Sequence, residues 1–218
     1  MNILKKIPLF SCFNEKELDY TYSKGIRKRA AKGSFIVRYG EYGDSLYLIE
    51  TGSVKLTLFN KDGKVIILST LDAGDFFGEF SLLDGQPRSC TVIAETDCDL
   101  FILTRQTFTS LLNEIPEMAL NILKEMSLRL RKADKKIESL ALLDVNGRVL
   151  QVLYEIASED GKKTDADYSF DKLPTHDVIA DIVGTTRESV TRAISSIRRI
   201  GILRYCRDGK ILLQKKAG

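Results

Sequence analysis

The 218-residue chain has one histidine, four scattered cysteines and no long apolar run. Each scarcity excludes something. The only imidazole, His176, sits near a helix start, and no nucleophile–base pair, metal set or P-loop is found, so an enzyme is not expected. Cys12, Cys90, Cys98 and Cys206 form no CxxC and no cluster of metal-ligand type. They are expected to be reduced, packed thiols, with no metal and no haem or iron–sulfur group. No apolar stretch reaches the ~18 residues of a membrane span, so no membrane partner is expected. The first 13 residues are too short and too mixed for a secretion signal, which makes cytoplasmic placement the expectation. The net charge of +3 does not by itself announce nucleic acid.

What is there suits two small domains better than one, with 44% hydrophobic residues to supply a core in each half. The charge is unevenly spread. From Thr186 onward the chain carries Arg187, Arg192, Arg198, Arg199, Arg204, Arg207, Lys210, Lys215 and Lys216, opposed only by Glu188 and Asp208. A locally basic end suggests a phosphate-facing surface.

The first segment, from about residue 26 to 104, is punctuated by glycines between short runs of β formers at residues 45–50, 54–59, 64–71, 90–94 and 100–103. Val54, Leu56 and Leu58 alternate with Lys55 and Thr57, as in a half-buried strand. Asn60-Lys61-Asp62-Gly63 has the composition of a hairpin turn. Short strands at this spacing predict a β jelly roll. Before it, residues 14–24 predict a short amphipathic helix with Asn14 as N-cap and Leu18 inward.

Inside this segment, residues 78–91 concentrate what an anion site needs. Gly78 permits a sharp turn where a Cβ would clash. Residues 79–83 predict one helical turn whose free N–H groups can cradle an anion. Arg88 offers a planar fork of donors to neutralise it, and Glu79 a carboxylate that can accept a sugar hydroxyl. Any one of these residues alone would be a turn glycine or a surface ion pair; the combination carries the weight.

The second segment, residues 116–143, predicts a long helix. Ala119, Leu123, Met126, Leu130, Ala133, Ile137 and Leu140 recur at alternating steps of four and three, a heptad seam flanked by charges. A stripe this narrow on so long a helix favours a two-helix dimer over a helix packed on its own domain. The third segment predicts a helix over residues 145–157, with Val149, Val152, Leu153 and Ile156 inward, then a polar loop over 158–167. Thr175 is placed to cap a helix carrying Val178, Ile179, Ile182 and Val183. Gly184-Thr185 breaks it, and Thr186 caps the next, whose inner face is Val190, Ile194 and Ile197. This is a helix-turn-helix, and residues 202–206 and 210–213 around Arg207-Asp208-Gly209 add a wing. The exposed face of the second helix presents Thr186, Arg187, Glu188, Ser189, Thr191, Arg192 and Ser195. Arginine can bind guanine bidentately, glutamate can accept from cytosine, and hydroxyls suit phosphates. A three-helix module for protein contacts is the alternative. His176, near a helix start, is a candidate for the DNA backbone.

Taken in order, the three segments resemble the Crp/Fnr (catabolite activator protein) family of bacterial transcription regulators. Residues 78–91 are similar to the phosphate-binding cassette of cyclic-nucleotide-binding domains. Leu143-Asp144-Val145-Asn146-Gly147-Arg148-Val149 resembles the family hinge. Ile182-Val183-Gly184-Thr185-Thr186-Arg187-Glu188-Ser189-Val190-Thr191-Arg192 resembles its turn and recognition helix. The resemblance implies an α+β chain in three parts: an effector domain at residues 1–115, a dimerisation helix at 116–143 and a winged helix-turn-helix at 144–218. It implies a homodimer controlled by a cyclic nucleotide and bound to double-stranded DNA at a TGTGA-like palindrome read by Arg187, Glu188 and Arg192. Around these, Thr175, His176, Thr186, Ser189 and Thr191 would complete the DNA surface. The implied effector site comprises Gly78, Glu79, Phe80, Ser81, Arg88, Ser89, Cys90, Arg129, Ala133 and Asp134. RNA polymerase is an implied partner, with residues 158–167 at the family's contact position. The chain departs from the family at Ala133 and Asp134, where cyclic-AMP-binding members present Thr and Ser hydroxyls to the adenine. Cyclic AMP is the first candidate effector, with cyclic GMP, cyclic di-GMP or none as alternatives. A constitutive DNA-binding dimer with a vestigial pocket, and a nucleotide-sensing module acting on a protein partner, are the rival functions.

Overall fold

The structure, a computed structural model, describes residues 3–214 except 62, 64, 161, 164–166 and 207–209. The chain forms two compact units, residues 1–131 and 132–218.

The first unit is built on β1 (Ile26–Ala30), β2 (Phe35–Val37), β3 (Ser45–Thr51), β4 (Ser53–Phe59), β5 (Val65–Asp72), β6 (Phe76–Phe77), β7 (Thr91–Ala94) and β8 (Cys98–Thr104). They form two antiparallel four-stranded sheets, ordered β1-β8-β3-β6 and β2-β7-β4-β5. Val37, Val54, Leu71 and Val92 from one sheet meet Ile49, Phe77, Cys98 and Leu100 from the other in a single core. That is the sandwich of a jelly roll, and its apolar interior is what the short alternating runs exist to cover. The alternation in β4 holds only in part. Val54 is buried and Leu56 and Leu58 half-buried, but Thr57 is buried too, its hydroxyl donating to the Thr91 carbonyl at 3.1 Å. Beside it the register slips: Leu56 pairs with Ser69 and Thr57 with Ile67, so Leu68 of β5 is an extra residue. In the β4–β5 connection, Gly63 at φ +77° donates to the Asn60 carbonyl, while Asp62 lies outside the described residues.

β1, β2 and β6 were not among the expected strands. β1 is an edge strand with Ile26, Arg27, Lys28 and Arg29 all exposed, and ion pairs Arg27–Glu50 and Arg29–Asp99 tie it down. With only Ala30 of its five residues buried, the strand carries no alternation to detect, and its charges blunt the edge against foreign pairing.

The helices of this unit are α1 (Glu15–Lys24), α2 (Glu79–Asp84), α3 (Arg105–Glu114) and the start of α4 (Glu117–Leu142). Asn14 caps α1 as expected: its side chain accepts from Glu17 N while the Glu17 carboxylate accepts from Asn14 N. Leu4, Ile7, Leu9 and Phe10 precede it in short 3-10 turns. They are fully buried with Leu18, Phe108, Leu111, Met118 and Ile122 in a second core beneath the sheets.

The second unit contains the rest of α4, then α5 (Val145–Asp160), β9 (Lys162–Lys163), β10 (Asp167–Phe170), α6 (His176–Val183), α7 (Arg187–Arg199), β11 (Leu203–Tyr205) and β12 (Ile211–Gln214). Val149, Leu153, Ile179, Val183, Val190, Ile194 and Ile197 form its core. The wing is larger than expected. The supposed loop at 158–167 holds the last turn of α5 and strand β9, and the four strands run in the order β11-β12-β10-β9. β10 pairs with β12 across more than 40 residues of sequence, a long-range contact that local composition does not encode. The turn residues Arg207, Asp208 and Gly209 lie outside the described residues.

Candidate functional site

In the cassette, Gly78 sits at φ +88° as the cap of α2, and a Cβ there would lie 2.6 Å from Arg88 Nη1 and 2.8 Å from the Ser45 carbonyl. Glycine is needed for both reasons. Gly78→Ala is expected to destabilise the chain by about 1–2 kcal/mol from the left-handed backbone alone, with the clash added. Denaturant unfolding measures it, and a variant as stable as the parent would show that the turn tolerates a Cβ.

Arg88 is only 6% exposed. Nη1 donates to the Gly78 carbonyl at 2.8 Å and Nη2 to the Ser45 carbonyl at 3.0 Å. A guanidinium has five N–H donors, so three remain. Among the described residues Arg88 has no carboxylate within ion-pair distance. The buried Glu79 carboxylate feels the charge of Arg88 but makes no direct pair with it, and a buried cation without a directly bonded anion is costly. Ser81, 1% exposed, carries an Oγ with no hydrogen-bond partner. Buried hydroxyls are rarely left so.

Glu79 is also buried. Its Oε1 accepts from Arg129 Nη1 at 2.7 Å, and Arg129 Nη2 donates to the Phe76 carbonyl at 2.6 Å, with the guanidinium 4.7 Å from the Phe76 ring centre. Burial pushes the Glu79 carboxyl up, against the charge of Arg129. The structure thus brings Glu79 and Arg129 together; sequence had named both without pairing them. Phe80 and Ser89 are exposed and Cys90 half-buried, its thiol pushed up by burial. Ala133 and Asp134 are exposed on α4 in the second unit. Of the cysteines, Cys98 is buried as expected, but Cys12 is exposed, because the connector before α1 lies at the surface. Arg105, which sequence reasoning passed over, donates to the Ser81 and Leu82 carbonyls of α2. Twenty-four residues separate it from Ser81, and no motif marks the pairing.

In the second unit, Thr175 caps α6 by accepting from Val178 N. Gly184, at φ +73°, ends the helix by donating to the Ala180 carbonyl, and Thr186 caps α7 by accepting from Ser189 N. The expected helix-turn-helix is therefore present residue for residue. Val190, Ala193, Ile194 and Ile197 face the core, which leaves Arg187, Glu188, Thr191 and Arg192 exposed together on the opposite face. His176 Nδ1 lies 2.8 Å from Thr191 Oγ1, whose own proton goes to the Arg187 carbonyl. Asp177 approaches Arg187 at 3.9 Å, a neighbour the sequence reading did not foresee. Arg192 donates to Ser189 Oγ at 3.3 Å. Fully exposed Glu188 is held below the usual carboxylate range by the backbone N–H at its helix start and by the Thr186 hydroxyl.

α4 displays its seam. Leu123, Leu130, Ile137 and Leu140 are 61%, 63%, 63% and 50% exposed. Met118 and Ile122 face the first unit's core instead, and Met126, expected in the seam, packs partly against that core as well, so among the described residues only the rest of the seam is left uncovered.

Residues 27–114 match the cyclic nucleotide-binding domain family and residues 147–218 the Crp-like helix-turn-helix domain family. The chain is 35% identical over 165 residues to the cAMP-activated global transcriptional regulator CRP of Salmonella typhimurium, covering 75% of this chain and 78% of that protein. It is 30% identical over 202 residues to the cyclic AMP receptor protein of Thermus thermophilus, covering 92% and 90%. In fold it is similar to the c-di-GMP responsive global regulator CLP of Xanthomonas campestris. That match has a TM-score of 0.78 at 21% identity and covers 93% of this chain and all of the other.

Proposed function

Since the chain belongs to the Crp/Fnr family of transcription regulators, we propose that it is a homodimer whose sequence-specific DNA binding is controlled by a cyclic nucleotide held in the jelly roll. The observation that carries this reading is the buried Arg88 guanidinium, bonded directly to no carboxylate among the described residues, in the same cassette as the unpartnered Ser81 hydroxyl. Both groups fit a phosphodiester. Glu79 fits a ribose hydroxyl through its second oxygen, and Phe80, Ser89 and Cys90 flank the grip. The nucleotide supplies an anion to Arg88 and a base to the neighbourhood of α4.

The family resemblance implies Ala133 and Asp134 at the base end. Ala133 offers no hydroxyl, and Asp134 offers a carboxylate suited to a base amino group. A missing hydroxyl partner costs about 1–3 kcal/mol, which counts against cyclic AMP; cyclic AMP stays the first candidate on the family resemblance, with cyclic GMP and cyclic di-GMP as the others. Residues 1–115 act as the effector domain, 116–143 as the dimerisation helix and 144–218 as the DNA-binding domain. Arg129, bonded to Glu79, ties the cassette to α4. An effector that favours one arrangement of the paired α4 helices favours one spacing of the two α7 helices. At about 34 Å, one DNA turn, both half-sites are engaged together. Arg187, Glu188 and Arg192 read a TGTGA-like half-site, while Thr175, His176, Thr186, Ser189 and Thr191 hold phosphates. RNA polymerase is the protein partner and the cytoplasm the setting. Among the described residues no helix is long and apolar enough to cross a membrane.

Titrating cyclic AMP, cyclic GMP and cyclic di-GMP separately while following operator affinity tests the reading. One of the three is expected to tighten binding. Tight operator binding indifferent to all three would mark a constitutive dimer. Weak, salt-insensitive DNA binding would mark a module that acts on another protein. Arg192→Ala is expected to cost about 1–3 kcal/mol of operator binding and to relax preference at one base pair. An equal loss on every sequence in a mobility-shift series would make Arg192 a phosphate contact.

A further inference from the structure

We propose that Arg105 is a positioning residue for the effector site, fixing the Ser81 hydroxyl and the Arg88 guanidinium relative to each other; this rests on the cyclic-nucleotide reading above. Arg105 opens α3, immediately after β8. From there its guanidinium reaches α2: Nη1 donates to the Leu82 carbonyl at 2.8 Å and Nη2 to the Ser81 carbonyl at 2.7 Å, with the Gly43 carbonyl at 3.4 Å from Nη2. Its own amide donates to the Asp44 carbonyl at 2.6 Å.

Each contact bears on the anion grip. In a helix of six residues, the last four carbonyls, 81–84, have no intrahelical donor. Arg105 supplies one to two of them and puts a cation at the end of the helix where the dipole is negative. The residue it holds by the carbonyl is the residue whose hydroxyl is buried and unpartnered. On the other side, Gly43 and Asp44 belong to the segment that encloses Arg88. A Cβ on Gly43 would lie 2.1 Å from Arg88 Nε, so the Gly43 backbone is the wall against which that guanidinium rests. One planar fork thus joins the element carrying Ser81 to the wall behind Arg88. Lysine, with a single point of charge, cannot span the two carbonyls of α2 in the same way. An anion clamp works only when its donors are held by a supporting shell, and Arg105 is the part of that shell contributed by α3.

The test uses the full chain with Arg105→Gln and Arg105→Lys, calorimetric titration of cyclic AMP, cyclic GMP and cyclic di-GMP, and the Ser81→Ala background. For whichever nucleotide binds the parent, Arg105→Gln is expected to weaken affinity about tenfold, as outer partners of a binding site commonly do. Arg105→Lys should recover part of the loss. In the Ser81→Ala background, Arg105→Gln should cost less than about twofold, because the hydroxyl it positions is gone. Unchanged affinity in Arg105→Gln, or losses that simply add to that of Ser81→Ala, would overturn the proposal. If the parent binds none of the three nucleotides, the cyclic-nucleotide reading fails. Amide exchange of residues 82–84 in the nucleotide-free protein then decides the role of Arg105. Faster exchange confined to α2 in Arg105→Gln supports the clamp, and unchanged exchange sinks it.

Discussion

Arg88→Leu is expected to lower the affinity for a cyclic nucleotide more than about a hundredfold, since at least two charge-assisted hydrogen bonds of about 1.5–3 kcal/mol each are lost. It is also expected to weaken the fold. Arg88 is the donor to the Gly78 and Ser45 carbonyls, and leucine leaves both without it. An orphaned buried carbonyl costs about 1–3 kcal/mol, so thermal unfolding belongs beside the calorimetry. Arg88→Lys separates the two effects, because it keeps the charge and one donor while losing the fork. A folded Arg88→Leu protein with unchanged nucleotide affinity would remove the cassette from the function altogether.

Leu130→Lys combined with Ile137→Lys is expected to convert the proposed dimer into a monomer without unfolding the chain. Both side chains are exposed within one chain, so charging them disturbs no internal packing. In a paired helix they would be buried twice over, four side chains in all. At about 1.5 kcal/mol or more each, their loss weakens association some ten-thousandfold. The like charges introduced across the seam add to this. Sedimentation at micromolar concentration reads the outcome directly. Operator binding should fall with dimerisation, since a monomer engages one half-site only. A double variant that remains dimeric would show that the partner surface lies elsewhere.

The comparison of sequence with structure divides along a physical line. The helix-turn-helix was legible almost to the residue, because its signals are local. Thr175 and Thr186 satisfy N–H groups three residues on, Gly184 takes a left-handed turn, and Val190, Ile194 and Ile197 repeat on one face. The cassette was legible for the same reason: Gly78, Glu79, Ser81 and Arg88 lie within eleven consecutive residues. Strands β1 and β9 were not, since β1 buries only its last residue and so shows no alternation, and the short β9 exists only through its pairing with β10.

From composition and local pattern alone came the two ends of the proposed mechanism, an anion grip near residue 80 and a groove-facing helix near residue 190, together with the apolar stripe between them. Only folding in three dimensions decided what surrounds the grip. Glu79 meets Arg129 from 50 positions away, Arg88 lies against Gly43 and donates to the Ser45 carbonyl, and Arg105 reaches back to α2. Chain order records caps and periodicities because they act within a few residues. Hydrogen bonds and ion pairs between distant segments depend on where the sheets and helices bring the backbone together, and that is settled only when the cores close.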